Sequence, residues 1–438
     1  PVSAGAAVVA ETIIPASIPA HTVHRPPRVA YHGPARPSTP GDDCPMPKTV
    51  ILGAARTPIG KLGGGLAKLD ATDLGGIAIE AALDRAGVDP GQVDHVVMGQ
   101  VLQAGQGQIP SRQAQVKGGI PREVSSETIN KVCASGVRAV AILDLAIRAG
   151  EVEVGVGGGM ESMSNAPYML PGARFGLRMG DAKALDAMLK DGLTNPFSGK
   201  HMAQEASEVA AELEMTRADM DRWSLRSHQL AIRATDDGRL PEEIVPVTVK
   251  GRKGDTVVEV DESPRRDTTL ETLAKLPPIF TKDGTHTAGN APGVNDGAGA
   301  IVLASDDWAA AHGKEVLAEL LAQAQVADDF AYLARTPAGA ARKALAKAGL
   351  EPGDIDLWEI NEAFASVTLN SIRLLGIDED RVNVNGGAVA LGHPIGASGA
   401  RIIATLVHEL RRRGGGLGCA AICSGGGQGD AVIVRVAG

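Results

Sequence analysis

Aromatic side chains are scarce in this 438-residue chain, at 3% of all residues, so its cores must be built mainly from aliphatic side chains and alanine. No apolar run approaches the roughly 20 residues that a membrane-spanning helix needs, which predicts a protein that does not cross a bilayer. The formal net charge of -9 argues against a nucleic-acid-binding surface, because such a surface needs a concentrated positive field.

Cysteine is also rare, and the four cysteines are Cys44, Cys133, Cys419 and Cys423. They are too few and too unevenly placed for a disulfide framework, which favours a reducing, cytoplasmic setting. None of them forms a C-x-x-C pair, so we expect no structural metal site. Glycine is abundant, with 55 residues, and 44% of the chain is hydrophobic, a composition typical of an α/β protein with many tight turns.

Residues 1–45 differ from the rest of the chain, with frequent proline, no lysine and no sustained periodicity. This composition predicts a disordered N-terminal tail that is dispensable for activity. Met46 opens a well-patterned segment, and residues 48–56 read as a buried strand.

Three segments recur in the same order at nearly the same spacing, which indicates a duplicated chain. The pairs are 82–94 with 344–356, then 134–136 with 397–399, and finally 157–159 with 425–427. The first pair reads as helix, glycine stop, proline turn and strand start. The second begins a largely apolar helix in each copy, and we expect each glycine run of the third to follow an apolar strand.

We therefore predict an α/β fold of two homologous halves in a layered α-β-α-β-α arrangement, with a pair of sheets enclosing the two apolar helices. The predicted N-terminal half comprises residues 46–163 and 295–315, and the C-terminal half comprises residues 316–438. Residues 164–294 match neither copy, and we interpret them as an inserted loop domain that folds over one face.

Cys133 precedes the first apolar helix, whose predicted span is residues 137–148. Peptide dipoles and free N–H groups at a helix N-terminus favour a thiolate, so we expect the pKa of Cys133 to lie below its ordinary value. A buried, inert cysteine is the simpler interpretation of one such residue alone.

Two further groups could share a pocket with Cys133 if a pseudo-twofold axis relates the halves. His393 lies in a glycine-rich loop before the second apolar helix, and Cys423 precedes Gly425 in a run of small residues. The sequence therefore predicts two thiols and one imidazole in a single cavity.

Three separated motifs at these positions resemble those of the thiolase family. They are Asn130-x-x-Cys133-x-Ser135-Gly136, Gly392-His393-Pro394-x-Gly396 and Cys423-x-Gly425-Gly426-Gly427, and segments 158–164 and 361–364 add to the likeness. The resemblance runs from about Lys48 to the C-terminus. It implies a thiolase fold and an acyltransferase activity.

The resemblance also implies a role for each catalytic residue. Cys133 is the acylated nucleophile, His393 takes its proton, and Cys423 exchanges the α-proton of the second substrate. One oxyanion hole is assigned to His393 with a water held by Asn361, and the other to the backbone N–H groups of Cys133 and Gly425.

The acyl-CoA contacts are carried over in the same way. Positions aligned with pantetheine, acyl or nucleotide contacts are Leu193, His201, Met202, Arg265, Thr272, Phe280, Ala288 and Phe364. A basic cluster at Lys250, Arg252, Lys253, Arg265 and Arg266 could bind CoA phosphates, or it could be an ordinary solvated face. One departure from the family pattern is Pro292, which stands where a serine hydroxyl would contact the pantetheine arm.

The expected reaction is the reversible Claisen condensation of two acetyl-CoA to acetoacetyl-CoA and CoA, with no metal and no cofactor beyond the CoA substrates. His201 and Met202 resemble the pair that narrows the acyl pocket of short-chain members. We expect a homodimer or homotetramer. The alternatives are a degradative thiolase acting on longer 3-ketoacyl-CoA, a catalytically silent acyl-CoA carrier and a cysteine hydrolase. The glycine run 155–159 lacks the strand, G-x-G-x-x-G and helix order of a dinucleotide loop, so we reject that reading.

Overall fold

The structure, a computed structural model, describes residues 46–279 and 281–438, and Met46–Gly438 form one compact unit. The predicted disordered tail, residues 1–45, and the predicted acyl-CoA contact Phe280 lie outside the described residues. No helix of the described ranges is long and apolar enough to cross a membrane.

Most strands join one sheet, and the others form two short hairpins. In chain order the strands are β1 (Thr49–Arg56), β2 (Gly60–Lys61), β3 (His95–Gly99), β4 (Ser125–Ile129), β5 (Val154–Ser162), β6 (Tyr168–Met169), β7 (Leu185–Asp186), β8 (Val247–Val249), β9 (Thr256–Val258), β10 (Asn295–Ser305), β11 (Ala318–Ala327), β12 (Leu357–Ile360), β13 (Gly416–Ser424) and β14 (Gln428–Val436).

The α-helices lie between these strands and cover the sheet. In chain order they are α1 (Ala71–Ala86), α2 (Pro110–Lys117), α3 (Ser135–Arg148), α4 (Met202–Glu212), α5 (Arg217–Asp236), α6 (Arg239–Glu243), α7 (Leu270–Ala274), α8 (Asp306–Ala311), α9 (Thr336–Ala348), α10 (Ala365–Leu375), α11 (Ala388–Leu391) and α12 (Ser398–Arg412). A π-helix spans Met188–Leu193.

The order of strands in the sheet confirms the duplication. The order is β12-β13-β14-β11-β1-β10-β5-β3-β4, with β2 paired to β10. In the N-terminal half β1, β10 and β5 are antiparallel neighbours and β3 is parallel to β5. In the C-terminal half β11, β14 and β13 are antiparallel neighbours and β12 is parallel to β13. Each half therefore repeats one strand pattern.

Local structure repeats with the topology. Helices α1 and α9 both end at a glycine in the left-handed conformation, Gly87 with φ of 58° and Gly349 with φ of 67°. Such a conformation costs a glycine little, because it has no Cβ. A short 3₁₀ turn beginning at Pro90 or Pro352 then leads into β3 or β12. The predicted helix, glycine stop, proline turn and strand are confirmed in both copies.

Five layers result, with α3 and α12 in the middle. Both helices share one hydrophobic cluster with strand residues of both halves, including Ile301 and Val432. Helix α1 packs on the outer side of the N-terminal strands, and α9 and α10 pack on the outer side of the C-terminal strands. The apolar burial of α3 is incomplete, since Leu145 is 48% exposed.

The expected pair of separate sheets is wrong in one respect. Strand β1 pairs with β11 as well as with β10, through Thr49 opposite Leu320, so the two halves share one continuous ten-stranded sheet. The predicted order of layers is still correct, because α3 and α12 lie between the two halves of this sheet.

Glycine allows α3 and α12 to cross with their backbones in contact. A Cβ added to Gly399 would lie 2.2 Å from the backbone nitrogen of Val137, and one added to Gly136 would lie 2.6 Å from that of Ala400. The N-termini of the two helices are therefore held together at the place where each follows a predicted catalytic loop.

The third repeat pair is only partly as expected. Residues 425–427 follow β13, as predicted, but residues 157–159 lie inside β5. The reason is close packing, because a Cβ on Gly159 would lie 1.9 Å from the carbonyl oxygen of Gly396. Strand β5 can pack against the loop before α12 only because residue 159 has no side chain.

The predicted insertion contains the expected elements. Thr216 caps α5 by accepting a hydrogen bond from the backbone of Asp219, and His201 caps α4. The predicted β-like run is β8, which pairs with β9. The boundaries at residues 164, 295 and 316 stay predictions.

Candidate active site

Cys133, His393 and Cys423 line one cavity of about 220 Å³. Cys133 stands two residues before α3, His393 lies between α11 and α12, and Cys423 is near the end of β13. All three side chains are buried. The structure therefore brings together the two thiols and the imidazole that the sequence predicts to meet, one from the N-terminal half and two from the C-terminal half.

The loop that carries Cys133 is held in an unusual conformation. Val132 has φ of 44°, in the left-handed region that is strained for a β-branched residue. Ser135 fixes the loop, because its hydroxyl accepts a hydrogen bond from the Lys131 backbone at 2.8 Å and donates one to the Val132 carbonyl at 2.7 Å. This turn points the Cys133 thiol into the cavity.

The expected low pKa of Cys133 is wrong. Burial raises the pKa of the thiol to about 12, which outweighs the lowering by hydrogen bonds from the backbone N–H groups of Gly425 and of Cys133 itself. The resting nucleophile is therefore a neutral thiol. These two N–H groups are the ones that the predicted oxyanion hole would use.

His393 is oriented by Ser398, the first residue of α12. The Nδ1 atom of His393 lies 2.6 Å from the Ser398 hydroxyl, which in turn donates to the Pro394 carbonyl at 3.0 Å. Both contacts are hydrogen bonds only if Nδ1 carries the proton, which leaves Nε2 as an acceptor. Nε2 is buried and has no partner among the described residues.

The imidazole of His393 is held neutral. Burial and the positive charge of Arg401 lower its pKa to about 3. A neutral ring with a free Nε2 lone pair can accept a proton from a thiol in the same cavity.

Asn361 is placed behind the cavity wall. Its side-chain oxygen accepts a hydrogen bond from Arg401 at 3.3 Å, and Arg401 is paired with Glu359 at 2.8 Å. The amide nitrogen of Asn361 is buried and without a partner in the described part of the chain. Asn361 does not itself line the cavity, whereas the neighbouring Phe364 does. A bridging water fits this position, because an unsatisfied buried donor is costly.

Cys423 is buried more completely than Cys133. Burial, together with the charge that Cys133 would carry, raises the pKa of Cys423 well above its ordinary value. Both thiols line the same cavity. Cys419 is also buried, away from this cavity, and burial raises its pKa.

The predicted acyl-CoA contacts fall into an inner and an outer group. Leu193, His201, Met202 and Phe364 line the catalytic cavity. Arg265 and Ala288 line a neighbouring cavity of about 300 Å³, and Arg265 and Thr272 line the next one. These positions therefore follow one route from the thiols outward.

Neighbouring cavities share walls along this route. Ala291, Gly293 and Val294 line both the catalytic cavity and the next one, and Arg265 lines the second and third. The inner residues are buried or half-buried, whereas Arg265, Thr272 and Ala288 are exposed. Pro292 lies on the wall of the catalytic cavity, where it presents no hydroxyl.

Most of the predicted basic cluster does not line this route. Lys250, Arg252 and Lys253 are exposed in the connection between β8 and β9, and Arg266 is paired with Asp236 at 2.6 Å. Arg265 alone among the five lines the cavities described. The other four are placed as a solvated face would place them, and a role in phosphate binding stays a prediction.

A larger cavity of about 760 Å³ adjoins the site. Met202 lines both this cavity and the catalytic one, and Val132 and Gly425 also lie on its wall. None of the described thiols lines it, so we assign the chemistry to the smaller cavity.

Ser398 and Glu161 are two supporting residues that the sequence analysis left without a role. The buried Glu161 carboxylate accepts backbone N–H bonds from Val101, Leu102 and Gly396, at 3.0, 3.1 and 3.0 Å. It thereby ties the loop before α12 to the N-terminal half, and burial raises its pKa to about 7. A lone carboxylate in an otherwise apolar strand was the available signal for Glu161. Ser398 had only its place at the start of a helix.

Comparison with known proteins agrees with this geometry. Residues 49–307 match the family model of the thiolase N-terminal domain, and residues 314–436 match that of the thiolase C-terminal domain. Acetyl-CoA acetyltransferase of Pseudomonas aeruginosa is 49% identical over 390 residues, covering 89% of this chain and 99% of the relative. Acetyl-CoA acetyltransferase of Cupriavidus necator is 49% identical over 391 residues, covering 89% of this chain and 100% of the relative.

Solved structures show the same fold. The acetyl-CoA acetyltransferase of Syntrophomonas wolfei superposes with a TM-score of 0.87 at 43% identity, covering 89% of this chain and 100% of that one. Human mitochondrial 3-ketoacyl-CoA thiolase superposes with a TM-score of 0.87 at 44% identity, covering 89% of this chain and 99% of that one.

Proposed function

The chain belongs to the thiolase family, and on that premise we propose that it is an acetyl-CoA acetyltransferase, which joins two acetyl-CoA into acetoacetyl-CoA and CoA reversibly. The observation that carries the proposal is the single cavity lined by Cys133, His393 and Cys423 in a chain with these relatives. Each group has a task in that reaction that the other two cannot perform.

The first half-reaction acylates Cys133. His393 accepts the thiol proton at Nε2, the sulfur attacks the thioester carbonyl, and the developing oxyanion is stabilised by the N–H groups of Cys133 and Gly425. The C–S bond of acetyl-CoA then breaks. The leaving CoA thiolate takes the proton of Cys423, so the acyl-enzyme holds a Cys423 thiolate beside a His393 imidazolium.

The second half-reaction forms the carbon–carbon bond. The Cys423 thiolate removes an α-proton from a second acetyl-CoA, and the enolate oxygen is stabilised by the Nε2 proton of His393 and by a water held at Asn361. The enolate carbon attacks the acetyl group on Cys133. The Cys133 sulfur leaves and recovers its proton from His393, and all protons balance.

The pKa values fit this sequence of steps. Thiol and imidazole are both neutral at rest, because burial raises the pKa of Cys133 and lowers that of His393. Charge then appears only as an ion pair within a closed cavity, where opposite charges attract strongly. The condensation involves no net change of oxidation state, and the thiols, the imidazole and the N–H donors supply the acid–base and oxyanion chemistry, so we propose that no redox cofactor and no metal take part.

Short substrates are favoured by the narrow inner cavity. Its volume of about 220 Å³ and its wall of Met202, Phe364 and Leu193 suit an acetyl or acetoacetyl group beside the pantetheine thiol. The longer-chain degradative alternative is not favoured by the curated relatives, several of which are named acetyl-CoA acetyltransferase.

Initial rates test the proposal directly. We expect acetoacetyl-CoA formation from acetyl-CoA alone, and CoA-dependent cleavage of 3-ketoacyl-CoA that is fastest for acetoacetyl-CoA. Cleavage rates that rise with acyl chain length would instead identify a degradative thiolase. Release of free acetate without condensation would identify a hydrolase, and no turnover would identify a silent carrier.

Three further features belong to the proposal. We propose a homodimer or homotetramer, a cytoplasmic setting in keeping with few cysteines, and a place in fatty acid metabolism, which follows from the CoA thioesters consumed and produced.

A further inference from the structure

The two catalytic loops are bonded directly to each other across the halves. The side chain of Ser424, the residue after Cys423, donates a hydrogen bond to the backbone carbonyl of Lys131, which lies two residues before Cys133. Ser424 is fully buried. The bond therefore links the nucleophile loop of one half to the strand end of the other, away from bulk water.

A second bond reaches the same hairpin. The Lys131 ammonium group lies 2.5 Å from an Asp430 carboxylate oxygen and 2.7 Å from the side-chain oxygen of Gln325. Asp430 is on β14 opposite Ile422, and the next pair in the register is Cys423 opposite Gly429. Lys131 is thus anchored through both its carbonyl and its side chain to the β13–β14 hairpin that carries Cys423.

We call Lys131, Ser424 and Asp430 the clamp. Little of it is exposed, since the side chains of Lys131 and Asp430 are 13% and 2% accessible. A buried, charge-assisted hydrogen bond of this kind is strong and fixes geometry. The Lys131 backbone N–H is also occupied, because it donates to the Ser135 hydroxyl.

The clamp matters because the catalytic groups are divided unequally between the halves. Asn361, His393 and Cys423 all lie on the C-terminal side of β11, whereas Cys133 lies on the N-terminal side. The groups proposed to act on the enolate therefore come from one half. Every step on the Cys133 acyl group needs the two halves in register, including the Gly425 N–H that converges on the Cys133 sulfur.

We infer that Ser424 and Asp430 are positioning residues, which hold the Cys133 acyl group in register with Gly425 and Cys423. This inference rests on the proposed function. Misplacing a reacting group by about 1 Å can slow a reaction about 100-fold, because catalysis depends on alignment. Loss of the Ser424 hydroxyl should therefore slow acyl transfer to and from Cys133 without weakening the binding of acetyl-CoA.

Two measurements separate positioning from binding. The first is acyl transfer, measured as single-turnover acetylation of Cys133 and as kcat for condensation. The second is the dissociation constant for CoA, which depends on the cavities that hold the CoA arm and not on the register of Cys133 with Gly425. We expect Ser424→Ala to lower acyl transfer about tenfold, with KM for acetyl-CoA and the dissociation constant for CoA nearly unchanged.

Matched variants complete the design. Ser424→Thr keeps a hydroxyl and should restore acyl transfer. Ser224→Ala removes another fully buried serine hydroxyl, which donates to the Met220 carbonyl at 2.7 Å in α5, and should leave both acyl transfer and CoA affinity unchanged. Asp430→Asn tests the second anchor with a side chain of equal size and should repeat the Ser424→Ala pattern.

The outcomes separate the inference from the function on which it rests. Equal acyl transfer in wild type, Ser424→Ala and Asp430→Asn would overturn the clamp alone, as would a loss of acyl transfer that is matched by an equal loss of CoA affinity. A wild-type protein that forms no acetoacetyl-CoA would overturn the proposed function and the clamp's role together.

Discussion

At the scale of single residues, burial controls the chemistry of the site more than its position on a helix does. Cys133 precedes an apolar helix, which favours a low pKa, yet removal from water raises the pKa to about 12. The pKa of His393 is lowered to about 3, because burial disfavours the charged form of the imidazole. The sequence could place these residues beside a helix but could not reveal how completely they are enclosed.

The pH dependence of alkylation follows from these values. A thiol with a raised pKa is protonated over the whole neutral range, so its thiolate fraction rises about tenfold per pH unit. In a Cys423→Ala background, we expect the rate of Cys133 alkylation by iodoacetamide to climb steadily from pH 7 to pH 9, with no inflection from His393. Bound acetyl-CoA should protect the thiol. A rate that levels off near neutral pH would contradict a raised pKa.

Asn361 supplies a second prediction at this scale. Its amide nitrogen is buried and has no hydrogen-bond partner in the described chain. It is therefore free to donate to a water that stabilises the enolate oxygen. Removing one oxyanion donor costs about 10²–10³ in kcat. We expect Asn361→Ala to lower kcat for condensation by that factor and to leave single-turnover acetylation of Cys133 much less affected. Equal losses in both assays would remove Asn361 from the enolate step.

Sequence patterns found the reactive residues but few of their supports. Cys133, His393 and Cys423 stand in recognisable motifs, and all three reach one cavity. Ser424 acts through a hydrogen bond to Lys131, which is 293 positions away in the chain and is brought near only by the fold, so no local signal marks it. Long-range pairing of this kind is set by topology and not by neighbouring residues.

At the scale of elements, the duplication was the most informative feature of the sequence. Helix stops at Gly87 and Gly349 and turns at Pro90 and Pro352 follow directly from local backbone preferences, and all four are observed. The place of the first glycine run inside β5 was missed. Its cause is a close approach between strand and loop, which depends on packing across the molecule.

The crossing of α3 and α12 gives a prediction about stability. A methyl group at Gly399 would lie 2.2 Å from the Val137 backbone nitrogen, whereas one at Gly353 would meet nothing within 4 Å. Overpacking a tightly packed site typically costs about 1–3 kcal/mol, and occasionally more. We expect Gly399→Ala to lower the urea midpoint of unfolding strongly, and the control Gly353→Ala to leave it unchanged or slightly raised. Similar midpoints for the two variants would show that the helices can move apart freely.

At the scale of the whole molecule, the two halves form one sheet and one catalytic cavity. The layered fold was predictable from two apolar helices that each need cover on both sides. The β1–β11 pairing was not, since no sequence pattern distinguishes it from an edge strand of a separate sheet. Cys133, His393 and Cys423 line one cavity because the two halves are related by a pseudo-twofold axis.

Truncation tests which part of the chain is needed. The first described strand and the matched family model both begin at residue 49. We expect a protein beginning at Met46 to retain the kcat/KM and the thermal midpoint of the full chain within experimental error. An insoluble or inactive truncated protein would show that residues 1–45 have a role in folding or catalysis.

The most direct test of the whole account is the position of a trapped acyl group. Cys423→Ala keeps Cys133, His393 and both N–H groups of the oxyanion hole, but it has no thiolate to take the α-proton of a second substrate. After incubation of this variant with labelled acetyl-CoA, peptide mapping should find the label on Cys133, and no acetoacetyl-CoA should form. A label on another residue, or condensation that persists without Cys423, would contradict the account.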